Sequence, residues 1–179
     1  EQRPGTPAFA GVLRTIYQFG CLCRDNGIQL LYHNHDFEFV SFSGMYALDF
    51  LYAAMPEDVL KTEIDVCWVK YAGEDPAAYL RKYAGRAPVV HLKDFVGRKE
   101  GDAAPYGLLG QSETKAAGEV PFEFRPVGYG CQDVSAVAEA GLDAGAKWFV
   151  VEQDASVGRT PLEAAAMSID TLRKIGLKG

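Results

Sequence analysis

Cysteine, histidine and basic charge are all scarce in this chain, and each scarcity closes off a class of function. The four cysteines, Cys21, Cys23, Cys67 and Cys131, form no CxxC pair and no dense pattern. Neither a thiolate metal cluster nor a disulfide scaffold is expected from them, and the reading is one of reduced, buried thiols in a cytoplasmic protein. The net charge is −6, with acids and bases interspersed, whereas a nucleic-acid surface needs a basic field. No apolar run is long enough to span a bilayer, and the opening EQRPGTPAFAGVLRT lacks the basic-then-apolar layout of a secretory signal. Neither GxGxxG nor GxxxxGK occurs, so the usual phosphate cradle of a nucleotide fold is missing. What 179 residues with 48% hydrophobic content do support is one globular domain, residues 1–179, with a real core.

The few histidines are placed with purpose. All three, His33, His35 and His91, end short apolar runs that read as β-strands. The runs are IQLLYHNH (28–35), VLKTEID (59–65), APVVHLKD (87–94) and KWFVVEQD (147–154), and each delivers a metal-capable side chain: His33 or His35, Asp65, His91, Glu152. Helical patterns separate them: residues 8–26, stopped by Asn26-Gly27; a stretch around 45–55, ended by Pro56; PAAYLRKYAG after Asp75; residues 133–144; and residues 161–175. Residues 95–122 have no clean period and read as a long functional loop after the third strand, with room for a hairpin.

Strand–helix alternation implies a parallel sheet with helices outside it. Such a fold gathers its strand C-termini, and its chemistry, on one face. Four βα units make half of a (β/α)8 TIM barrel, which typically needs roughly 250 residues. The first expectation is therefore the C-terminal half of a TIM barrel; a small open parallel α/β sheet is the alternative. A half barrel leaves two strand edges and an inner face uncovered. The lining of that face is expected from Leu31, Ile64, Val90 and Val151 or their neighbours, and a homo-oligomer or a missing N-terminal half is expected to cover it.

Alternate strand residues share a face, so His33 and His35 point one way, as do Glu63 and Asp65, and His91 and Lys93. An acid inside an apolar strand is costly unless it is paired or holds a metal. A mixed Asp/Glu/His set suits Mn²⁺, Mg²⁺, Co²⁺ or Zn²⁺. Such an ion polarises a carbonyl and acidifies the neighbouring C–H, and a nearby carboxylate or histidine moves the proton. Glu152, helped by His35 or Lys93, is expected to carry that step. Glu38 in the loop after His35, Trp68 beyond Asp65 and Arg125 in FRPVGYG are candidates to meet the substrate.

At LLYHNHDFEF, TEIDVCWV, VVHLKDF, FRPVGYG and FVVEQD the chain resembles the sugar phosphate isomerase/epimerase superfamily, with its xylose isomerase-like TIM barrel. The resemblance runs from about Ile28 onward and implies that strands five to eight are present and the first four missing. It implies a metal enzyme with ligands Asp65, His91 and Glu152, and with His33 at the first position, where many members have glutamate; His35 then stands behind the ligands. That replacement weakens a symmetric two-glutamate epimerase mechanism and brings dehydratase or lyase chemistry forward. The expected function is a metal-dependent isomerase, epimerase or lyase of carbohydrate metabolism, acting on a keto-sugar, sugar phosphate or cyclitol. A non-catalytic barrel fragment or sugar-binding module is the alternative. The superfamily also resembles endonuclease IV, but three histidines and a negative balance do not suit a multinuclear DNA-binding site, so no nucleic acid and no membrane is expected as partner.

Overall fold

The computed structural model describes residues 6–97 and 121–177. Along the chain run α1 (Phe9–Asp25), β1 (Leu31–His33), a 3-10 turn (Phe37–Phe39), β2 (Ser41–Phe42), β3 (Met45–Tyr46), α2 (Ala47–Ala53), β4 (Lys61–Asp65), α3 (Val66–Tyr71), α4 (Pro76–Lys82), β5 (Val89–Leu92), β6 (Asp94–Val96), β7 (Glu123–Arg125), α5 (Val134–Asp143), β8 (Trp148–Val151) and α6 (Pro161–Lys174). Strands β1, β4, β5 and β8 form one parallel sheet in that order. This is the four-unit half of a (β/α)8 barrel, with its strand ends side by side on one face.

Local chemistry sets the element ends. Gly27, at φ 73°, stops α1 after its Asn26 cap. Asp75 caps α4 through Ala77 and Ala78, with Pro76 in the first turn. Thr160 and Glu163 close a capping box at the start of α6.

Three features depart from the pattern read in the sequence, and a fourth follows it. First, β1 is three residues long where 28–35 reads as strand: past His33 the Asn34 side chain takes over the ladder, its Oδ1 accepting from Asp65 N at 2.9 Å. His35 is thus outside the strand. Second, a two-stranded hairpin precedes α2, because Ser43 and Gly44 both adopt positive φ, the geometry of a tight hairpin turn; the helix is accordingly shorter than 45–55. Third, VCWVKY is a helix, α3, capped by Asp65 itself. Fourth, the hairpin for which residues 95–122 left room forms where they begin and just beyond their end, Asp94↔Arg125 to Val96↔Glu123; the stretch 98–120 lies outside the described residues.

The core lies between the sheet and the helices. Ile64 and Val90 are fully buried there with Leu48, Leu51, Tyr52, Leu80 and Ala140. A Cβ on Gly141 would fall 2.7 Å from the Phe149 ring, so glycine is what lets α5 lie flat on β5 and β8. The expected lining of the inner face is corrected at three positions. Asp65 pairs with His91 in register, and Ile64 with Val90; with a period of two, the pairs must face opposite ways. The inner face therefore carries Leu31, His33, Glu63, Asp65, Val89, His91, Trp148 and Val150, while Ile64, Val90 and Val151 belong to the helix side. The thiols are corrected too: Cys23 and Cys67 are buried, but Cys21 is half-buried and Cys131 exposed.

Candidate metal centre

Three strand ends bring three ligand atoms together. His33 Nε2 lies 2.7 Å from His91 Nδ1 and 3.0 Å from Asp65 Oδ2, and His91 Nδ1 lies 3.5 Å from the same oxygen. Neighbouring ligands of one ion held at about 2.0–2.2 Å lie roughly 3 Å apart, so this N₂O triangle has the spacing and the donor chemistry for one divalent cation. Among the described residues this His33, Asp65 and His91 set is the group of histidine, cysteine and carboxylate side chains that meets metal-ligand spacing.

The sequence builds each ligand differently. Asp65 is fully buried. Its Oδ1 accepts from Cys67 N at 2.8 Å and Trp68 N at 3.4 Å, capping α3, and its backbone N–H is held by Asn34. Only Oδ2 faces the histidines. Burial opposes charge on His33, but the hydrogen bond and charge of Asp65, with Glu63 behind it, outweigh that and raise its pKa. Burial, aided by the positive charge of His33, lowers the pKa of His91 against the pull of Asp65. A hydrogen on His33 Nε2 has two acceptors within reach, Asp65 Oδ2 and His91 Nδ1.

Around the triangle stands a ring of charge. The Lys93 ammonium is buried, 2.7 Å from Glu152, 3.2 Å from Asp154 and 3.7 Å from Asp65. It also lies over the rings of Trp68 and Phe124. Burial disfavours its charge, yet Asp65, Glu152 and Asp154 together raise its pKa and favour the ammonium form. Glu152 is half exposed and meets both Lys93 and His91 Nε2, the latter at 3.2 Å. Although burial works the other way, the Lys93 hydrogen bond and charge hold its pKa below the usual glutamate range.

Glu152 is thus beside the triangle, on the opposite nitrogen of His91, and outside the three-atom group. His35 stacks on His33 and on Trp68, and burial followed by the His33 charge lowers its pKa. Trp68 is itself stacked against Phe122 and joins Tyr71, Phe95 and Phe124 in a second apolar cluster, so it builds a wall of the site and does not present a free ring. Glu38 is buried, with one oxygen accepting from Tyr32 Oη at 2.7 Å and the other from His35 N at 2.9 Å; burial raises its pKa. It braces the loop that carries His35. Arg125 is paired with Glu123 at 2.8 Å. Sequence reasoning missed Asn34, Asp94, Gln132 and Asp154. Asn34 had a signal, its place between two histidines, but nothing local says that a side chain will continue a ladder.

Known proteins share this architecture. A family profile described as xylose isomerase-like TIM barrel matches residues 7–175. A sugar phosphate isomerase/epimerase from Parabacteroides distasonis superposes with TM-score 0.68 at 21% identity, over 90% of this chain and 50% of that one. A xylose isomerase domain protein from Planctomyces limnophilus gives TM-score 0.64 at 16% identity, over 95% of this chain and 52% of its own. The IOLI protein, solved with a bound zinc atom, gives TM-score 0.53 at 12% identity, over 97% of this chain and 72% of its own. At these identities the solved structures speak for the fold. The chain spans about half the length of the first two. No curated protein matches it.

Proposed function

Because the chain belongs to the xylose isomerase-like TIM barrel family, we propose that it is a divalent-metal-dependent enzyme that moves a proton on the carbon beside a carbonyl. The substrate class is a keto-sugar, sugar phosphate or cyclitol, and the reaction an isomerisation, epimerisation or β-elimination. The observation that carries this reading is the triangle of His33 Nε2, His91 Nδ1 and Asp65 Oδ2, three ligand-type atoms turned towards one point. Zn²⁺ and Co²⁺ suit its imidazoles, and Mn²⁺ and Mg²⁺ its carboxylate. When bound, such an ion polarises the substrate carbonyl and its neighbouring hydroxyl and so acidifies the C–H between them.

The chain's own residues supply the rest. Lys93, as the ammonium, donates to an oxygen that gains negative charge and keeps Glu152 ionised. Glu152, as a carboxylate, receives the carbon-bound proton and returns it, to the adjacent carbon in an isomerisation or to a departing hydroxyl in an elimination. Neutral His35 is the second group able to exchange a proton. The aromatic wall of Trp68, Phe122 and Phe124 keeps water from Lys93. A second reading, a sugar-binding barrel portion without catalysis of its own, is favoured by the chain spanning about half of the first solved structures.

Deuterium incorporation from solvent into the carbon beside the carbonyl, measured with Mn²⁺-loaded chain over a panel of keto-sugars, their phosphates and keto-cyclitols, separates the two. Incorporation is expected for at least one class, falling by about 10²–10⁴-fold in Glu152→Gln with metal retained. Sugar binding with no exchange in the unmodified chain supports the binding module. Full exchange in Glu152→Gln places the base on another residue.

A further inference from the structure

Asp94 is fully buried, and its carboxylate accepts four backbone N–H groups. Oδ1 takes Phe95 N at 2.9 Å and Gln132 N at 3.1 Å; Oδ2 takes Gly128 N at 2.9 Å and Gly130 N at 3.0 Å. The 128–132 loop is wrapped so closely that a Cβ on Gly130 would collide with this carboxylate and with Phe95 O. A buried carboxylate bound by several amides is a strong, directional anchor.

What the anchor fixes is Gln132. Its Nε2 donates to Val66 O at 2.8 Å and reaches Lys93 O at 3.4 Å. Val66 follows the ligand Asp65, and Lys93 stands two residues after the ligand His91. The ladder between β4 and β5 runs only from Glu63↔Val89 to Asp65↔His91. Beyond it β4 turns into α3, and backbone pairing between the two strands ends. The Gln132 carboxamide is the next link across that gap.

We propose that Asp94 and Gln132 are positioning residues for the metal triangle: Asp94 fixes the loop, and Gln132 sets how far apart Asp65 and His91 stand. Neither side chain touches the ligand atoms. The inference rests on the reading that His33, Asp65 and His91 hold a divalent ion, but one of its two readouts needs no metal. Supporting partners of ligands typically change metal affinity by about 10–100-fold when removed.

The test uses Gln132→Ala and Gln132→Glu, the second keeping the size but losing the donor, with Asp94→Asn as the stronger perturbation. The first readout, without metal, is the imidazole ¹⁵N shifts of His33 and His91, which report how their ring nitrogens meet each other and Asp65. The second is Co²⁺ titration followed by its visible absorption. In both Gln132 variants the imidazole shifts are expected to move, and Co²⁺ binding to weaken about 10-fold with a changed spectrum, while circular dichroism stays that of the parent chain. Asp94→Asn, which sets an amide N–H against two loop N–H groups, is expected to give the same changes together with a lower melting temperature. Unchanged imidazole shifts in folded Gln132→Ala and Gln132→Glu overturn the proposal. Absence of Co²⁺ binding by the parent chain defeats the metal reading, and the imidazole readout still decides the positioning role.

Discussion

Asp65 divides its two carboxylate oxygens between folding and the candidate metal triangle. Oδ1 caps α3, and Oδ2 faces the histidines. An asparagine at this position keeps a cap acceptor but offers no second lone-pair oxygen, so Asp65→Asn is expected to fold like the parent and lose its bound metal. Elemental analysis after loading should fall from one equivalent to near zero; full metal content in that variant would mean that the ligand set is wrong. Asp65→Ala should lose metal and also destabilise, by about 1 kcal/mol for the cap alone. The residue types at this site were legible in the sequence, since histidines and acids ending apolar runs have few other reasons to be there. The division of labour between two oxygens of one carboxylate was not, because it depends on where α3 begins, and VCWVKY carries no start signal apart from Asp65 itself.

Between elements, the clearest hinge of stability is Asp49 on α2. Its Oδ1 accepts from the Tyr79 and Tyr83 hydroxyls, and its Oδ2 from Lys82 Nζ at 2.6 Å, groups on α4 and at its C-cap. Partial burial works against its charge, but these hydrogen bonds and the lysine prevail and lower its pKa. A depressed acid pKa contributes stability that is fully present above the unfolded value of about 3.9 and is lost as pH falls through the folded value. Denaturant midpoints measured between pH 6 and pH 3 should therefore drop at the acid end, and Asp49→Asn should flatten that limb while costing about 1–3 kcal/mol at neutral pH. An acid limb of undiminished slope in the variant would assign it to other carboxylates. Gly141 on α5 offers a second check. Gly141→Val is expected to cost about 1–3 kcal/mol by overpacking against Phe149 and Val90, read from the same midpoints. Helix periods announced α5 and α6, but not that glycine at 141 decides how closely a helix lies on the sheet.

At the scale of the whole molecule, the half barrel leaves apolar surface in the open. Trp148 and Val150 on the inner face of β8 are 69% and 41% exposed, and Leu22 on α1 and Leu162 on α6 are 59% and 81% exposed. Strands β1 and β8 each have one neighbour in the four-stranded sheet. Apolar burial is worth about 25 cal/mol per Å², and unpaired edges invite further strands. The 179-residue chain taken alone is expected to associate, with itself or with a polypeptide supplying further βα units. Light scattering should give a mass above that of the 19.5 kDa monomer. A monomer with a single cooperative melt would show that the edges need no cover.

Pattern within short stretches was enough to determine the βα rhythm, the helix boundaries at Gly27 and Asp75-Pro76, and the residue types that end the strands. These are nearest-neighbour properties, fixed by φ preferences, caps and periods of two and 3.6 residues. Tertiary structure alone decided that His33 and His91, 58 residues apart, stand in direct contact while Glu152 stays outside their triangle, and that Lys93 reaches Asp154 across 61 residues. It also decided which nitrogen and which oxygen of each ligand faces inward, and gave Asn34, Asp94 and Gln132 their work. Those outcomes depend on register and on one buried side chain completing another's hydrogen bonds, and no local stretch of chain contains both partners.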